Sequence, residues 1–347
     1  MKIGFIVNQI ETETAGYSTT LLSSTAIHRG HEAYIIGIGQ LCYLKDGKMG
    51  AKAVKAPERK FRSLQKYIEA IKSAEAEKVF ITSDDLDVLF LRNDPCEEIG
   101  DRAWAQTAGM VFGQIAVANG VLVLNDPYSL MTSFNKMYFQ HFPEKVRPRT
   151  IISRDANEIK EFYVQEKKKI ILKPLQGSGG KDVFLVDDDK NLNQIVETIN
   201  RNGFVIAQEY LPAAKNGDIR VILMNGKVLT VKGKHAAINR VNENDIRSNL
   251  HTGGQALHTE FNEDVRRLCE IVGPKLVQDG MFLVGIDIVG DKIMEINLDS
   301  PGGIVAMHKL EGVDFCGEII AAIERKVNFQ KHYQGTLPNA FLSTLDI

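Results

Sequence analysis

Residues 170–174 read Ile-Ile-Leu-Lys-Pro, an apolar run that brings Lys173 to its end, and Leu175-Gln176-Gly177-Ser178-Gly179-Gly180-Lys181 follows at once. Glycines let backbone N–H groups approach an anion and adopt positive φ, which is how loops cradle phosphates. This is not a Walker A loop, because Asp182 rather than Ser or Thr follows Lys181. Taken alone, the segment reads equally as a phosphate cradle and as a plain hairpin from Leu172 to Val183.

A second set is Asp287, Glu295 and Asn297, on what reads as one ladder spanning residues 281–298. Two carboxylates and an amide oxygen are hard donors, suited to Mg²⁺ with bridging phosphates. Their use depends on register. A strict two-residue turn at Gly290-Asp291 puts Asp287 opposite Met294 and sends Glu295 to the other side. A turn of odd length, or a bulge, puts Asp287 across from Glu295, and Asn297 then shares that face by the two-residue period. The other reading is a solvated sheet face; the carboxylate chemistry favours the metal.

Gln208-Glu209-Tyr210-Leu211 ends an apolar strand and suits an adenine edge and ribose hydroxyls. Asp218 and Arg220 are two apart on a strand, and Arg220 suits bidentate binding of a carboxylate or phosphate. As an isolated pair they read more plainly as a surface salt bridge. Arg247-Ser248-Asn249-Leu250-His251-Thr252-Gly253-Gly254 offers a fixed cation, an amide and a glycine pair, suited to closing over an anionic intermediate; alone it is a surface loop. His28 and His31, Lys167 to Lys169 and Asp187 to Asp189 read as solvated helix ends and turns.

These residues need a scaffold of some size. The chain has 347 residues, 44% hydrophobic and 25% charged, enough for two or three globular domains. A formal net charge of −2 supplies no basic excess for nucleic acid or an anionic membrane. The N-terminus turns polar at Asn8, too early for a signal peptide, and the apolar stretch 108–124 is broken by Gly113, Gln114, Asn119 and Gly120. Four scattered cysteines without a C-x-x-C pair suit a reducing, cytoplasmic setting.

The first third alternates strand-like runs (2–7, 32–38, 79–82, 88–92, 121–124) with helix-like blocks, including one over 104–119. That alternation predicts an open, mainly parallel sheet covered on both faces. Asp126-Pro127 opens a helix whose stripe is Leu130, Phe134, Met137, Tyr138 and His141, leaving Lys136 on another face. Beyond Arg149 the strands are joined by fewer, shorter helices, and Asn225-Gly226 is a hairpin turn. The divisions expected are 1–126, 127–212, 213–330 and a tail 331–347; residues from 328 on carry no periodicity and are free to pack on a neighbouring copy.

With these features in this order, the chain resembles the ATP-grasp ligases, and within them the bacterial glutathione synthetases. The densest matches are residues 170–175 with the glycine loop, 207–213 with Gly217-Asp218 and Arg220, Arg247 with Asn249-Leu250 and Gly253-Gly254, and 284–288 with Gly290-Asp291 and 295–297. The resemblance implies a Rossmann-like N-terminal domain followed by an ATP-grasp fold. It also implies ATP-dependent joining of glycine to γ-glutamylcysteine through an acyl phosphate, with two Mg²⁺ ions or Mn²⁺ in their place, in a homo-oligomer. On that pattern Lys136 and Lys173 bind the phosphates, and Gly177, Ser178, Gly179 and Gly180 form a lid. Gln208, Glu209, Tyr210, Leu211 and Asp218 hold the nucleoside. Arg220, Arg247 and Asn249 attend the acyl phosphate, Asp287, Glu295 and Asn297 ligate metal, and Arg92 holds the γ-glutamyl group.

The chain departs from that pattern where Cys96-Glu97-Glu98 replaces a second proline and Phe-Asp, and where Asp299-Ser300-Pro301-Gly302-Gly303 replaces Thr-Ser-Pro-Thr. Ser300, Gly302 and Gly303 are therefore expected at the peptide-substrate site, with donor and acceptor identity open. Arg240 is the candidate for a second family arginine. The alternatives are another carboxylate–amine ligase and a catalytically silent ATP-binding module.

Overall fold

The computed structural model describes residues 1–58, 60–242, 248, 253–333 and 335–347. The first sheet has seven strands: β1 (Lys2–Val7), β2 (Glu32–Gly37), β3 (Leu41–Tyr43), β4 (Met49–Lys55), β5 (Lys78–Thr82), β6 (Val88–Leu91) and β7 (Leu122–Leu124). Helices α1 (Ser18–His28), α2 (Leu64–Lys72), α3 (Ala108–Ala118) and α4 (Pro127–Ser133) accompany it. β1 and β6 are apolar and buried almost throughout, as strands covered on both faces must be. Only half of this sheet is parallel. β2, β1, β6 and β7 run together, whereas β4 is antiparallel to β2, β3 and β5. The links from β2 through β3 to β4 are too short for a crossover, so the chain folds back as hairpins.

Two helices differ from expectation. The block 104–119 is helical only as α3, preceded by a 3₁₀ turn over Gly100–Ala105. The stripe drawn through 127–141 is interrupted after Ser133. Asn135 caps a 3₁₀ turn by accepting from the Met137 N–H at 2.9 Å, and the Lys136 N–H donates to the Leu175 carbonyl at 3.1 Å. That break turns Lys136 toward the glycine loop.

The second sheet is antiparallel, ordered β10-β9-β11-β8, from β8 (Thr150–Ser153), β9 (Ile170–Pro174), β10 (Phe184–Val186) and β11 (Val205–Glu209), with α5 (Ala156–Gln165) and α6 (Leu192–Asn200). Its core, which includes Ile159, Tyr163, Leu172, Val196 and Val205, is separate from the cores of the rest.

The third sheet runs β17-β16-β12-β18-β19, with β13 paired to β12. It contains β12 (Asp218–Met224), β13 (Lys227–Val228), β16 (Ala237–Val241), β17 (Gln255–Leu257), β18 (Leu283–Val289) and β19 (Lys292–Asn297); β14 (Thr230–Val231) and β15 (Lys234–His235) form a ladder beside it. Asn225 and Gly226 both take positive φ in the tight turn before β13. α7 (Glu263–Gln278), α8 (Ile304–Glu311), α9 (Phe315–His332) and α10 (Asn339–Thr344) complete the chain.

The final segment packs on its own chain. The Asn339 amide bonds both the N–H and the carbonyl of Val123 on β7, at 2.9 and 3.0 Å. Ser343 donates to the Gly280 carbonyl at 2.6 Å. Buried Lys326 donates to Asn225 and to the Leu345 carbonyl. The tail thereby ties the first sheet to the third.

Candidate active site

The hairpin β18–β19 has the two-residue turn, and a bulge rescues the register. Val289 pairs with Lys292 and Ile288 with Ile293; the ladder then slips, and Asp287 pairs with Glu295 and Gly285 with Asn297. Met294 is the extra residue on β19, so the second of the two conditions set by the sequence is the one met. Asn297 Nδ2 lies 3.3 Å from Asp287 Oδ2; turning the amide over presents its oxygen instead. Among the described residues no group of three or more His, Cys, Asp and Glu forms a metal cluster. The donor set is therefore two carboxylates and one amide oxygen, all hard, with room for phosphate oxygens, and it fits Mg²⁺.

Arginines hold this hairpin. Arg220 Nη2 donates to Asp287 Oδ2 at 2.8 Å, and its Nε donates to Oδ1. Arg240 on β16 bridges Asp287 at 2.9 Å and Asp218 at 2.6 Å. Burial opposes the Asp287 charge, but the two guanidiniums outweigh it and hold the carboxyl well below the usual range. Asp218 is raised by burial and by the Asp287 charge, and it accepts from the Ser248 hydroxyl. The expected Asp218–Arg220 surface bridge does not form, because each is drawn to a partner on a neighbouring strand. Gly217 allows this approach: at φ +88°, a Cβ there would lie 2.1 Å from the Arg240 carbonyl oxygen.

Facing the hairpin, β9 presents Lys173, whose Nζ donates to Gln208 Oε1 at 3.1 Å. Burial lowers this ammonium to about 8 despite the pull of Glu295. Lys136 pairs with Glu295 at 3.4 Å and donates to the Gly177 carbonyl. Gly177, Gly179 and Gly180 all take positive φ. All of these groups but Gly179, with Ser178, Tyr210, Leu211 and Asp218, line a cavity of about 530 Å³ between the second and third sheets. Ile171, Pro174, Val183 and Val289 give it apolar walls suited to a flat base, and the cationic end suits a polyphosphate. Glu209 is not among its lining residues. The strand alternation turns its side chain to Arg149, whose N–H it accepts at 2.8 Å, so its expected contact with the nucleoside is not made by the carboxylate. Arg247 and Asn249 lie outside the described residues.

A second cavity, of about 570 Å³, opens at the C-terminal ends of β1 and β6 and is lined by Arg92, Ser300, Gly302 and Gly303. Arg92 is only 3% exposed; it donates to Thr19 at 3.2 Å and to the Pro301 carbonyl at 3.1 Å, leaving Nη1 buried without a partner. Asp94 and Ser300 line both this cavity and the narrow recess beside Lys173, Glu295 and Asn297, so the two spaces meet there. Asp299 also lines that recess; burial and the Asp94 charge push its carboxyl up to about 8. Sequence reasoning held Arg240 only as a candidate and missed Asp94; the juxtaposition of β12 with β16, and of the loop after β6 with Ser300, carries no local signal.

Two sequence profiles match the chain: prokaryotic glutathione synthetase, N-terminal domain, over residues 1–131, and prokaryotic glutathione synthetase, ATP-grasp domain, over 135–312. Glutathione synthetase of Gloeobacter violaceus is 33% identical over 326 residues, covering 92% of this chain and 95% of that protein. That of Agrobacterium fabrum is 34% identical over 320 residues, covering 91% and 93%. In fold, the chain is similar to D-cycloserine synthetase DcsG, with a TM-score of 0.60 at 13% identity, covering 92% of this chain and 98% of that one. It is likewise similar to the ATP-grasp ligase PsnB complexed with minimal precursor, Mg and ADP, with a TM-score of 0.55 at 16% identity, covering 94% and 98%.

Proposed function

The chain belongs to the prokaryotic glutathione synthetase family, and from that membership we propose how its two cavities carry out one reaction. It is an ATP-dependent carboxylate–amine ligase acting on small molecules, using ATP with a divalent metal and joining glycine to γ-glutamylcysteine with release of ADP and phosphate. The observation that carries our assignment of roles is the bulge at Met294, which sets Asp287 across from Glu295 at the mouth of the lysine-lined cavity.

A carboxylate resists attack by an amine until it is phosphorylated. In our reading the cysteinyl carboxylate of the donor, anchored by Arg92, reaches past Ser300 into the recess and attacks the terminal phosphorus, and ADP departs. Lys136 and Lys173 hold the phosphate oxygens, and Gly177 to Gly180 close over them to keep water from the acyl phosphate. Gln208, Tyr210, Leu211 and Asp218 hold the nucleoside, with Glu209 supporting the strand from behind. Metal held by Asp287, Glu295 and Asn297 would offset charge on the transferring phosphoryl group. Two Mg²⁺ ions, replaceable by Mn²⁺, are the form we propose. The glycine amine then adds to the acyl carbon, phosphate leaves, and the amine loses its proton. Arg220 and Arg240, with Arg247 and Asn249, stabilise the charge on the tetrahedral species; Gly302 and Gly303 shape the substrate wall.

We assign substrate binding to residues 1–126, the lid to 127–212, and metal and arginine chemistry to 213–330. The separate core of the second sheet supports that part of the lid moving as a unit, while Leu130, Tyr138 and Phe142 pack in the core shared with the first and third sheets. Four free thiols support a cytoplasmic setting. Exposed Trp104, Val111 and Tyr128 support a homo-oligomer. No helix among the described residues is long and apolar enough to cross a membrane.

The test is ADP release by the purified chain with Mg²⁺ and ATP. Release that requires γ-glutamylcysteine and glycine together supports this reading. A faster reaction with a different acid–amine pair overturns the substrate assignment, and no release with any pair overturns the ligase.

A further inference from the structure

The cavity at the ends of β1 and β6 contains a buried charge that the mechanism above does not use. Adjacent parallel strands whose C-terminal loops diverge form the usual ligand crevice of an open sheet. β1 and β6 are such neighbours: the Arg92 N–H bonds the Ile6 carbonyl at 2.9 Å. Arg92 follows β6, and Glu13 lies on the loop that leads from β1 to α1. Both side chains line the cavity, Arg92 3% exposed and Glu13 7% exposed.

The other acids there are committed or solvated. Asp94 accepts from the Cys96 N–H at 2.8 Å, Glu98 is paired with Arg102 at 2.6 Å and accepts from Asn8 at 2.8 Å, and Glu97 is exposed. The Thr20 hydroxyl beside Glu13 donates to the Thr14 carbonyl at 2.8 Å, and Arg92 and Lys72 act on Glu13 only through space. Burial pushes its carboxyl up to about 7 against their pull, the condition of an acid that gains from a cation brought beside it. Arg92, for its part, keeps Nη1 unpartnered. The wall thus offers one spare cationic donor and one under-compensated carboxylate.

We infer that Glu13 is a donor-specificity residue: its carboxylate receives the α-ammonium of the γ-glutamyl donor while Arg92 receives the α-carboxylate. The inference rests on the reading of the chain as a γ-glutamylcysteine ligase and adds to it the means by which the amino-acid end of the donor is recognised. A charge-assisted contact of this kind discriminates against a ligand lacking the charged group, because the buried carboxylate is left without its partner.

The experiment compares γ-glutamylcysteine with glutarylcysteine, which lacks only the α-amino group, at saturating Mg-ATP and glycine, in the wild-type chain and in Glu13→Gln. For the wild type, kcat/KM for the glutaryl donor is expected to be lower by roughly tenfold to a hundredfold. Glu13→Gln is expected to lose a similar factor with γ-glutamylcysteine and nothing further with the glutaryl donor, so the two losses do not add. Equal losses on both donors mean that Glu13 only braces its loop, and they overturn the inference. If Glu13→Gln fails to fold, the wild type decides: equal use of the two donors overturns it, and a preference for the ammonium-bearing donor that Glu13→Asp partly retains supports it. A wild-type chain inactive with both donors contradicts the underlying ligase reading, and that failure is visible before any variant is made.

Discussion

Asp287 serves two demands that pull apart on substitution. In the structure it neutralises Arg220 and Arg240, and in the reaction it is a metal ligand. Asp287→Asn leaves two buried guanidiniums short of charge, so we expect a stability loss on the order of 3 kcal/mol together with at least a hundredfold fall in ADP formation. Glu295→Gln, at a half-exposed position paired only with Lys136 among the described residues, should show the activity loss with little change in melting temperature. Wild-type turnover in Glu295→Gln would remove the hairpin from the chemistry. Lys173 gives a pH prediction. Its ammonium titrates near 8 in the free protein, and phosphate binding needs the charged form, so the KM for ATP should rise above pH 8. Lys173→Arg should abolish that rise, and a flat wild-type profile would contradict the role. Much of this site is legible in the residues themselves: lysine, glycines, paired carboxylates and amide stand at readable spacings. Glu209 and Arg240 are less so, because a side chain's face and its partner on another strand depend on pairings made far along the chain.

Strands are the most legible elements, since β1, β6 and β18 are apolar runs buried nearly throughout. Strand direction is not written in hydrophobicity: the short links from β2 through β3 to β4 turn β4 antiparallel to both, and β5, reached through α2, also pairs antiparallel to β4. The 127–141 stripe ended early because Asn135 supplies a local cap that competes with helix continuation. The bulge at Met294 was readable only as a condition: the pattern states what metal binding needs, and the backbone decides how it is met. Two glycines test the element scale. Gly217→Ala places a Cβ against the Arg240 carbonyl oxygen and must part β12 from β16, so a loss of at least ~2 kcal/mol and of activity is expected. Gly179→Ala meets nothing within 4 Å, so only its positive φ is penalised, by roughly 1 kcal/mol within the loop. Its melting temperature should stay near wild type while the KM for ATP rises. Thermal melts and ATP titrations of the pair check both, and a stable, active Gly217→Ala would contradict the close-approach argument.

At the scale of the whole molecule, the cavities are shared between sheets, so what ties the sheets together sets their geometry. α10 is short and is held by side chain to backbone hydrogen bonds and one buried leucine, Leu342, too little to give residues 333–347 a periodic signal, whereas residues 328–332 continue α9. Lys326 anchors this tail from a buried position where desolvation lowers its ammonium to about 7. The unfolded chain keeps that proton up to the ordinary lysine range, so between about pH 7 and pH 10 it binds more protons than the folded chain, and stability should rise with pH across that window. Lys326→Met should lose that contribution to the slope, as melting curves at several pH values would show; equal slopes in both proteins would contradict the assignment. The whole account turns on phosphorylation of the donor carboxylate in the cleft between Lys173 and the Asp287 hairpin. Its most direct test is turnover with γ-glutamylcysteine carrying heavy oxygen in the cysteinyl carboxylate, followed by mass analysis of the phosphate released. An acyl phosphate predicts one heavy oxygen in each phosphate formed, whereas phosphate free of the label would contradict it.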